Sequence, residues 1–228
     1  MFEEYKYKTE LHAHTSPASG CSQIPPEKLV EIYCKLGYDS VVITNHFIYE
    51  SESNIKERLE KYFDDYYKAQ REGEKCGLNV VLGSEIRFSE NFNDYLIYGI
   101  KESDFPVMEG LLGEGIDNFY KKFKNDKNVI IQAHPFRDGM SLANPESIDG
   151  IEVFNMHPGH NSRIGFAAQY AEKHNFIITG GTDYHHWGHE GMISMMTKEK
   201  ILDSEQLAAV LKSRDYILDI SGLKVQLY

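Results

Sequence analysis

Residues 8–14 read Lys-Thr-Glu-Leu-His-Ala-His, a strand-like segment that ends in two imidazoles. Side chains two apart on a strand project to the same side, so His12 and His14 can address one cation. Alone, such a pair is common on surface strands and is weak evidence. It gains weight because the pattern recurs along the chain: a short apolar, β-branched run, then an imidazole or carboxylate. Candidate strands at 8–12, 40–44, 79–83, 95–100, 128–133, 150–154 and 176–180 are flanked by His12 and His14, His46, Glu85, Asp94, His134, Glu152 with Asn155, and Asp183 with His185. Asp94 differs from the rest in starting its strand.

Amphipathic stretches separate these runs. Pro25-Pro26 opens a helix with Leu29, Ile32, Tyr33 and Leu36 on one face and Gly37 at its end. A longer helix is expected from about Ser53 to Lys75, stopped by Gly77, with others near 105–125, 161–174 and 204–213 and a last strand near 216–220. Such alternation predicts an α/β protein built from repeated strand–helix units around a parallel sheet or barrel. In a closed parallel barrel the carboxyl ends of the strands share one face, so residues scattered from 12 to 185 would meet in one pocket. No linker, low-complexity tract or repeat divides the chain, and residues 1–228 are expected to form a single domain.

Composition narrows the chemistry. Hydrophobic residues make up 41% and charged residues 26% of 228, which is ordinary for a protein with a sizeable core. Lys+Arg 24 against Asp+Glu 35 leaves −11, which disfavours long nucleic acids and anionic lipid surfaces as partners. Three cysteines without a CxxC pair indicate neither a disulfide framework nor a cysteine-rich zinc site, and fit a reducing compartment. The amino terminus lacks a leader-like pattern and no apolar run reaches the ~20 residues of a membrane span, so a cytoplasmic location without membrane contact is expected. The oligomeric state is left open. Neither a GxxxxGK[ST] nor a GxGxxG motif is present. The tyrosine-rich segment 60–70 reads as packing and solvated surface rather than a base-stacking platform.

Ten histidines are many for this length. Imidazole plus carboxylate, without thiolate, suits Zn, Mn or Fe(II), and more than four candidate ligands exceed the needs of one tetrahedral ion. Two or three divalent ions are therefore expected. Closely spaced ions can turn water into hydroxide and neutralise phosphoryl charge.

Taken in order, ELHAHTSP (10–17), ITNH (43–46), GSE (83–85), QAHP (132–135), IEVFN (151–155) and GGTDYHH (180–186) resemble the successive motifs of the polymerase and histidinol phosphatase (PHP) family of metal-dependent phosphoesterases. The resemblance implies a distorted (β/α)7 TIM-like barrel with a metal site at the carboxyl ends of its strands. It further implies that His12 and His14 hold one ion, that Glu85 bridges it to a second held by His134, that Asp183 also bridges, and that His46 and His185 serve a third. Asp94 stands where the family usually has a histidine, Asn45 where it usually has an aspartate, and the loop 16–23 lacks the usual histidine or aspartate. Cys21 in that loop is read as an inert thiol.

For phosphate binding the expected residues are Arg137, after His134-Pro135, and Arg163, because a guanidinium grips phosphate through a planar fork. His186 is the candidate general acid, with His189 beside it. His157 and His160 fall in a loop on the same face. The activity expected is hydrolysis of a small phosphate monoester, histidinol-phosphate-like or nucleotide-like, by metal-activated hydroxide. A metal-dependent amidohydrolase and a non-catalytic metal- or ligand-binding regulator are the alternatives.

Overall fold

The computed structural model describes residues 2–52 and 54–228. Among them are twelve strands and six α-helices, with three short 3-10 turns. In chain order these are β1 (Tyr7–Ala13), α1 (Pro26–Lys35), β2 (Ser40–Ile43), β3 (His46–Ile48), α2 (Ile55–Cys76), β4 (Asn79–Leu82), β5 (Ser84–Arg87) and β6 (Asp94–Tyr98). Then follow α3 (Phe105–Leu111), α4 (Gly115–Phe123), β7 (Val129–Gln132), β8 (Gly150–Asn155), α5 (Ile164–His174), β9 (Ile177–Gly181), β10 (Ile193–Thr197), α6 (Ser204–Ser213), β11 (Ile217–Ile220) and β12 (Leu223–Gln226).

The local signals act as expected at most boundaries. Pro25-Pro26 starts α1, and α2 ends at Gly77 in the left-handed region at φ 80°. Ser53, the expected first residue of α2, lies outside the described residues, and Asn54 caps the helix by accepting from the Glu57 amide. Leu36, expected on the buried face of α1, is its exposed C-cap. The single helix expected over 105–125 is two, α3 and α4. Gly115, at φ 78°, turns the chain between them, and the Glu90 carboxylate fills the space a side chain there would take while accepting from the Ile116 amide.

The strands form two six-stranded mixed sheets, ordered β12-β11-β10-β1-β2-β4 and β3-β5-β6-β7-β8-β9. This corrects the expected all-parallel ring of seven. β6 runs antiparallel to both β5 and β7, and β10 runs antiparallel to β1. Only Thr44-Asn45 separates β2 from β3 and only Gly83 separates β4 from β5, so the sheets adjoin there. At the other side Ala13 pairs with Tyr184, just past β9; the Tyr184 amide donates to His12 O and the His14 amide to Tyr184 O.

Both faces of the inner strands are apolar, which is why they read as continuous hydrophobic runs. Val41, Ile43, Val80, Tyr95, Ile97 and Ile130 pack toward α1–α5. Their neighbours Val42, Val81, Leu96, Tyr98, Val129 and Ile131 pack with Leu11, Met195 and the α6 residues Leu207, Ala208 and Leu211. With the other end filled this way, the polar residues gather at the carboxyl ends of β1, β5, β7 and β9. No helix among the described residues is long and apolar enough to cross a membrane.

Candidate metal centre

His12 on β1 is completely buried, with Nε2 3.3 Å from Glu85 Oε1 and 3.5 Å from Asp183 Oδ1. His14 Nε2 lies 3.4 Å from Glu85 Oε2 and 3.5 Å from Asp183 Oδ1. His46 Nδ1 is 2.8 Å from Glu85 Oε2, His134 Nε2 is 3.2 Å from Glu85 Oε1, and His185 Nδ1 is 3.2 Å from Asp183 Oδ1. Asp94 Oδ2 is 3.8 Å from His134 Nε2. All eight expected ligands therefore meet in one cage. Asp94 reaches it because β6 is antiparallel: its first residue pairs with Arg87, the last of β5.

Three groups within the cage have donor atoms within 4.8 Å of one another: His12, His14 and Asp183; Glu85, Asp94 and His134; His14, His46 and His185. His12 Nε2, His14 Nε2, His46 Nδ1 and Glu85 Oε2 are buried without a hydrogen-bond partner despite the short distances above. Imidazole and carboxylate donor atoms that converge this closely without a hydrogen-bond partner are what a divalent cation would draw together, so the residues fit metal. His134 and Asp183 sit at φ 30° and 50°, strained backbone of the kind that persists at functional sites.

An outer layer sets the direction of these rings. Glu152 Oε1 lies 2.9 Å from His12 Nδ1, while Oε2 accepts from the His134 amide and from Asn155 Nδ2. Ser19 Oγ donates its one proton to Asn45 Oδ1 and accepts from the His46 amide. Its contact with His14 Nδ1 at 3.2 Å therefore takes the ring proton, leaving His14 Nε2 free to face inward. Asn45 thus acts on His14 through Ser19. It also accepts from the Thr15 amide and donates to Thr15 Oγ1, which donates to Asp65 Oδ2 on α2. β9 can lie against β1 only because residue 181 is glycine, since a Cβ there would stand 2.4 Å from the His12 Cβ.

A two-domain protein from Bacteroides vulgatus that contains a predicted PHP-like metal-dependent phosphoesterase superposes with TM-score 0.71 and 18% identity, over 97% of this chain and 67% of that one. The chain has the PHP-like fold. A predicted metal-dependent phosphoesterase from Bifidobacterium adolescentis matches at TM-score 0.51 and 18% identity, over 90% and 95% of the two chains. An amidohydrolase from Chromobacterium violaceum, with bound sulfate and no metal, matches this PHP-like fold at TM-score 0.52 and 12% identity, over 80% and 89%. Among curated proteins, the PolC-type DNA polymerase III of Clostridium perfringens is 28% identical over 149 residues. That match takes in 64% of this chain and 9% of that protein, so the chain spans less than a tenth of its curated relative's length. No family model matches the chain.

Charge in the cage is arranged around its carboxylates. Burial raises Asp183 and Glu85, but the imidazoles, His12 foremost, outweigh it and hold both carboxyls well below their usual range. Burial lowers His12, yet Glu152, Asp183 and Glu85 hold it well above the imidazole range. His14 moves the other way, lowered by burial and by its neighbours His185 and His46. Burial also raises the Cys21 thiol, but hydrogen bonds with His185 and His46 bring it down to about 6. The loop thiol expected to be inert lines the same cavity as His46 and His185.

The cage forms the floor of a cavity of about 840 Å³, whose wall includes Arg58, Lys61, Arg87, Arg137, His157, His160 and His186. Arg87 makes a two-bond fork with Asp94 at 2.7 and 2.8 Å, and Lys61 pairs with Glu57. Arg137 and His186 face the cavity as expected. Arg163 does not: its guanidinium is spent on Phe136 O and Asp138, where it latches the 136–138 turn.

Three wall and cage residues lay outside the expected set. Arg87 follows Glu85 by two on one strand, so period-two spacing pointed to it. His160 Nδ1 is 3.2 Å from Asp183 Oδ2 and stacks on His157 with centroids 4.0 Å apart; its place in the loop after β8 was the available signal. Glu152 was marked at a strand end but given no role.

Proposed function

We propose that the chain is a metal-dependent phosphoesterase acting on a small phosphate monoester, with two or three divalent ions of Zn, Mn or Fe held by His12, His14, His46, Glu85, Asp94, His134, Asp183 and His185. The convergence of orphaned imidazole and carboxylate atoms on the floor of an open cavity carries this reading. Bound divalent ions would supply acidification of water and neutralisation of phosphoryl charge. The chain's own residues supply the rest. Glu152 and Ser19 hold the His12 and His14 rings so that both Nε2 atoms face inward. Arg137, which has no ion-pair partner among the described residues, is available for a phosphate oxygen, whereas Arg87 and Lys61 in the same wall are engaged by carboxylates. His186, which also lines the cavity, would give a proton to a departing alkoxide.

His14→Ala and Asp183→Ala should each abolish turnover of a chromogenic phosphate monoester by protein saturated with Mn(II) or Zn(II). Arg137→Ala should raise KM about tenfold or more with a smaller change in kcat. Wild-type rates in metal-replete His14→Ala would refute the assignment. The fold shared with the C. violaceum amidohydrolase keeps a second reading in view. Hydrolysis of cyclic amides but no phosphoester across a panel would select it, and metal binding with neither activity would select a non-catalytic regulator. A cytoplasmic setting and the exclusion of long nucleic acids remain part of the proposal, resting on composition.

A further inference from the structure

Cys34 lies in the last turn of α1, and Cys76 is the last residue of α2. The Cys34 thiol contacts Cys76 O at 3.6 Å, which brings the two cysteines side by side at the adjoining ends of α1 and α2. Both cysteines are free; Cys76 is exposed, and Cys34 is half-buried against the core beneath α1. A thiol within 3.6 Å of its neighbour cysteine's own backbone, one cysteine open to solvent and the other sheltered, provides the proximity that a disulfide needs. The residues are 42 apart in sequence, and the segment between them carries His46 together with the cavity-wall residues Glu50, Arg58 and Tyr62.

We propose that Cys34 and Cys76 are a dithiol–disulfide pair, a covalent modification site at which a low-molecular-weight disulfide closes a bridge between α1 and α2. The exposed Cys76 thiolate attacks one sulfur of the small disulfide, forming a mixed disulfide and expelling one thiolate. The Cys34 thiolate then attacks the Cys76 sulfur, forming the Cys34–Cys76 bond and expelling the second. The protein loses two electrons and two protons, the small disulfide gains both, and two small thiols leave. The bridge staples the segment that builds one wall of the cavity. It is independent of what the cavity hydrolyses.

The test is to incubate the whole chain with oxidised glutathione, quench with an alkylating agent and map peptides without reduction. The expected result is a linked Cys34–Cys76 peptide, an intact mass lower by two hydrogens, and reversal by dithiothreitol. The same link should form in Cys21→Ser, whereas Cys76→Ser and Cys34→Ser should retain glutathione on the remaining partner. Because the bridge closes a long loop, the melting midpoint of the oxidised protein should rise by roughly 5–10 °C. Stable glutathione adducts on both cysteines of the wild type, links to Cys21, links between chains, or no reaction would each overturn the proposal. A linked protein with an unchanged midpoint overturns the stapling. Peptide mapping of the wild type decides the matter even where a serine variant fails to fold.

Discussion

At the scale of single residues, Glu10 shows what lies behind the cage. It is fully buried, accepts from the His12 and Thr182 amides at 3.0 Å through Oε1, and accepts from Tyr33 OH and Thr182 Oγ1 through Oε2. It therefore ties β1, α1 and the residue before Asp183 together. Burial pushes its carboxyl up to about 7, although the four donors pull it down. A folded value above the unfolded 4.5 means that the proton stabilises the native state. This contribution is complete below pH 4.5 and is lost as pH rises through 7. Glu10→Gln removes the titration, so urea melts should show the variant gaining on the wild type between pH 4.5 and 7.5, by at most about 3 kcal/mol. A difference independent of pH would contradict it. Glu10 stands inside the first motif, but its importance was illegible there, because Tyr33 and Thr182 are distant in sequence. The ligands themselves were legible, since each sits beside a strand recognisable from its own residues.

At the scale of elements, strands were easier to read than their directions. A short apolar run carries no mark of whether it runs parallel or antiparallel. Thus β6 was found, but its hairpin with β5 was not, and the placement of Asp94 beside ligands from strand ends had no explanation until the hairpin supplied one. The short segments β3, β5, β10 and β12 escaped notice: β3 and β5 continue earlier strands past a break, and β10 has no flanking signal beyond Ile193 and the two methionines. The length of α2 was evident, but its part in the site was not. Asp65 Oδ2 accepts from Thr15 Oγ1 and from the Ala18 amide, so one helix residue holds the loop that carries Ser19 and, through it, His14. Removing such an outer support typically weakens metal affinity about 10- to 100-fold. Asp65→Ala should lower affinity for Mn(II) or Zn(II) by about tenfold in calorimetric titration, and Asp65→Asn, which keeps an acceptor, should recover most of it. Loss of thermal stability with unchanged affinity would confine Asp65 to a structural role.

At the scale of the whole molecule, the candidate ligands come from both sheets. His12 lies on β1, an inner strand of one sheet, and His14 just past it, whereas Glu85 and Asp94 lie on strands of the other and His134 just past β7, and Asp183 follows β9 where that sheet meets β1. The convergence of strand ends was foreseen from alternating strands and helices, while the division into two mixed sheets was not, because it depends on pairings between segments far apart in sequence. Cations bound in the cage would therefore join the two sheets and stabilise the fold by mass action, by roughly 3–4 kcal/mol at 100- to 1,000-fold excess over Kd. For a chain of this length, chelation should lower the melting midpoint by about 6–16 °C, with recovery on adding Zn(II) or Mn(II) and no shift in His14→Ala. The loss is partial because the emptied cage can hold protons in place of cations. Burial lowers His46 and His185, but Glu85 in the first case and Asp183 in the second raise each to about 10, so protonated imidazoles pair with the carboxylates that cations would otherwise engage. Protons and cations therefore compete for the same lone pairs. The midpoint difference between loaded and chelated protein should widen as pH rises from 6.5 toward 10, and a difference that narrowed over that range would show that the cage does not bind the ions.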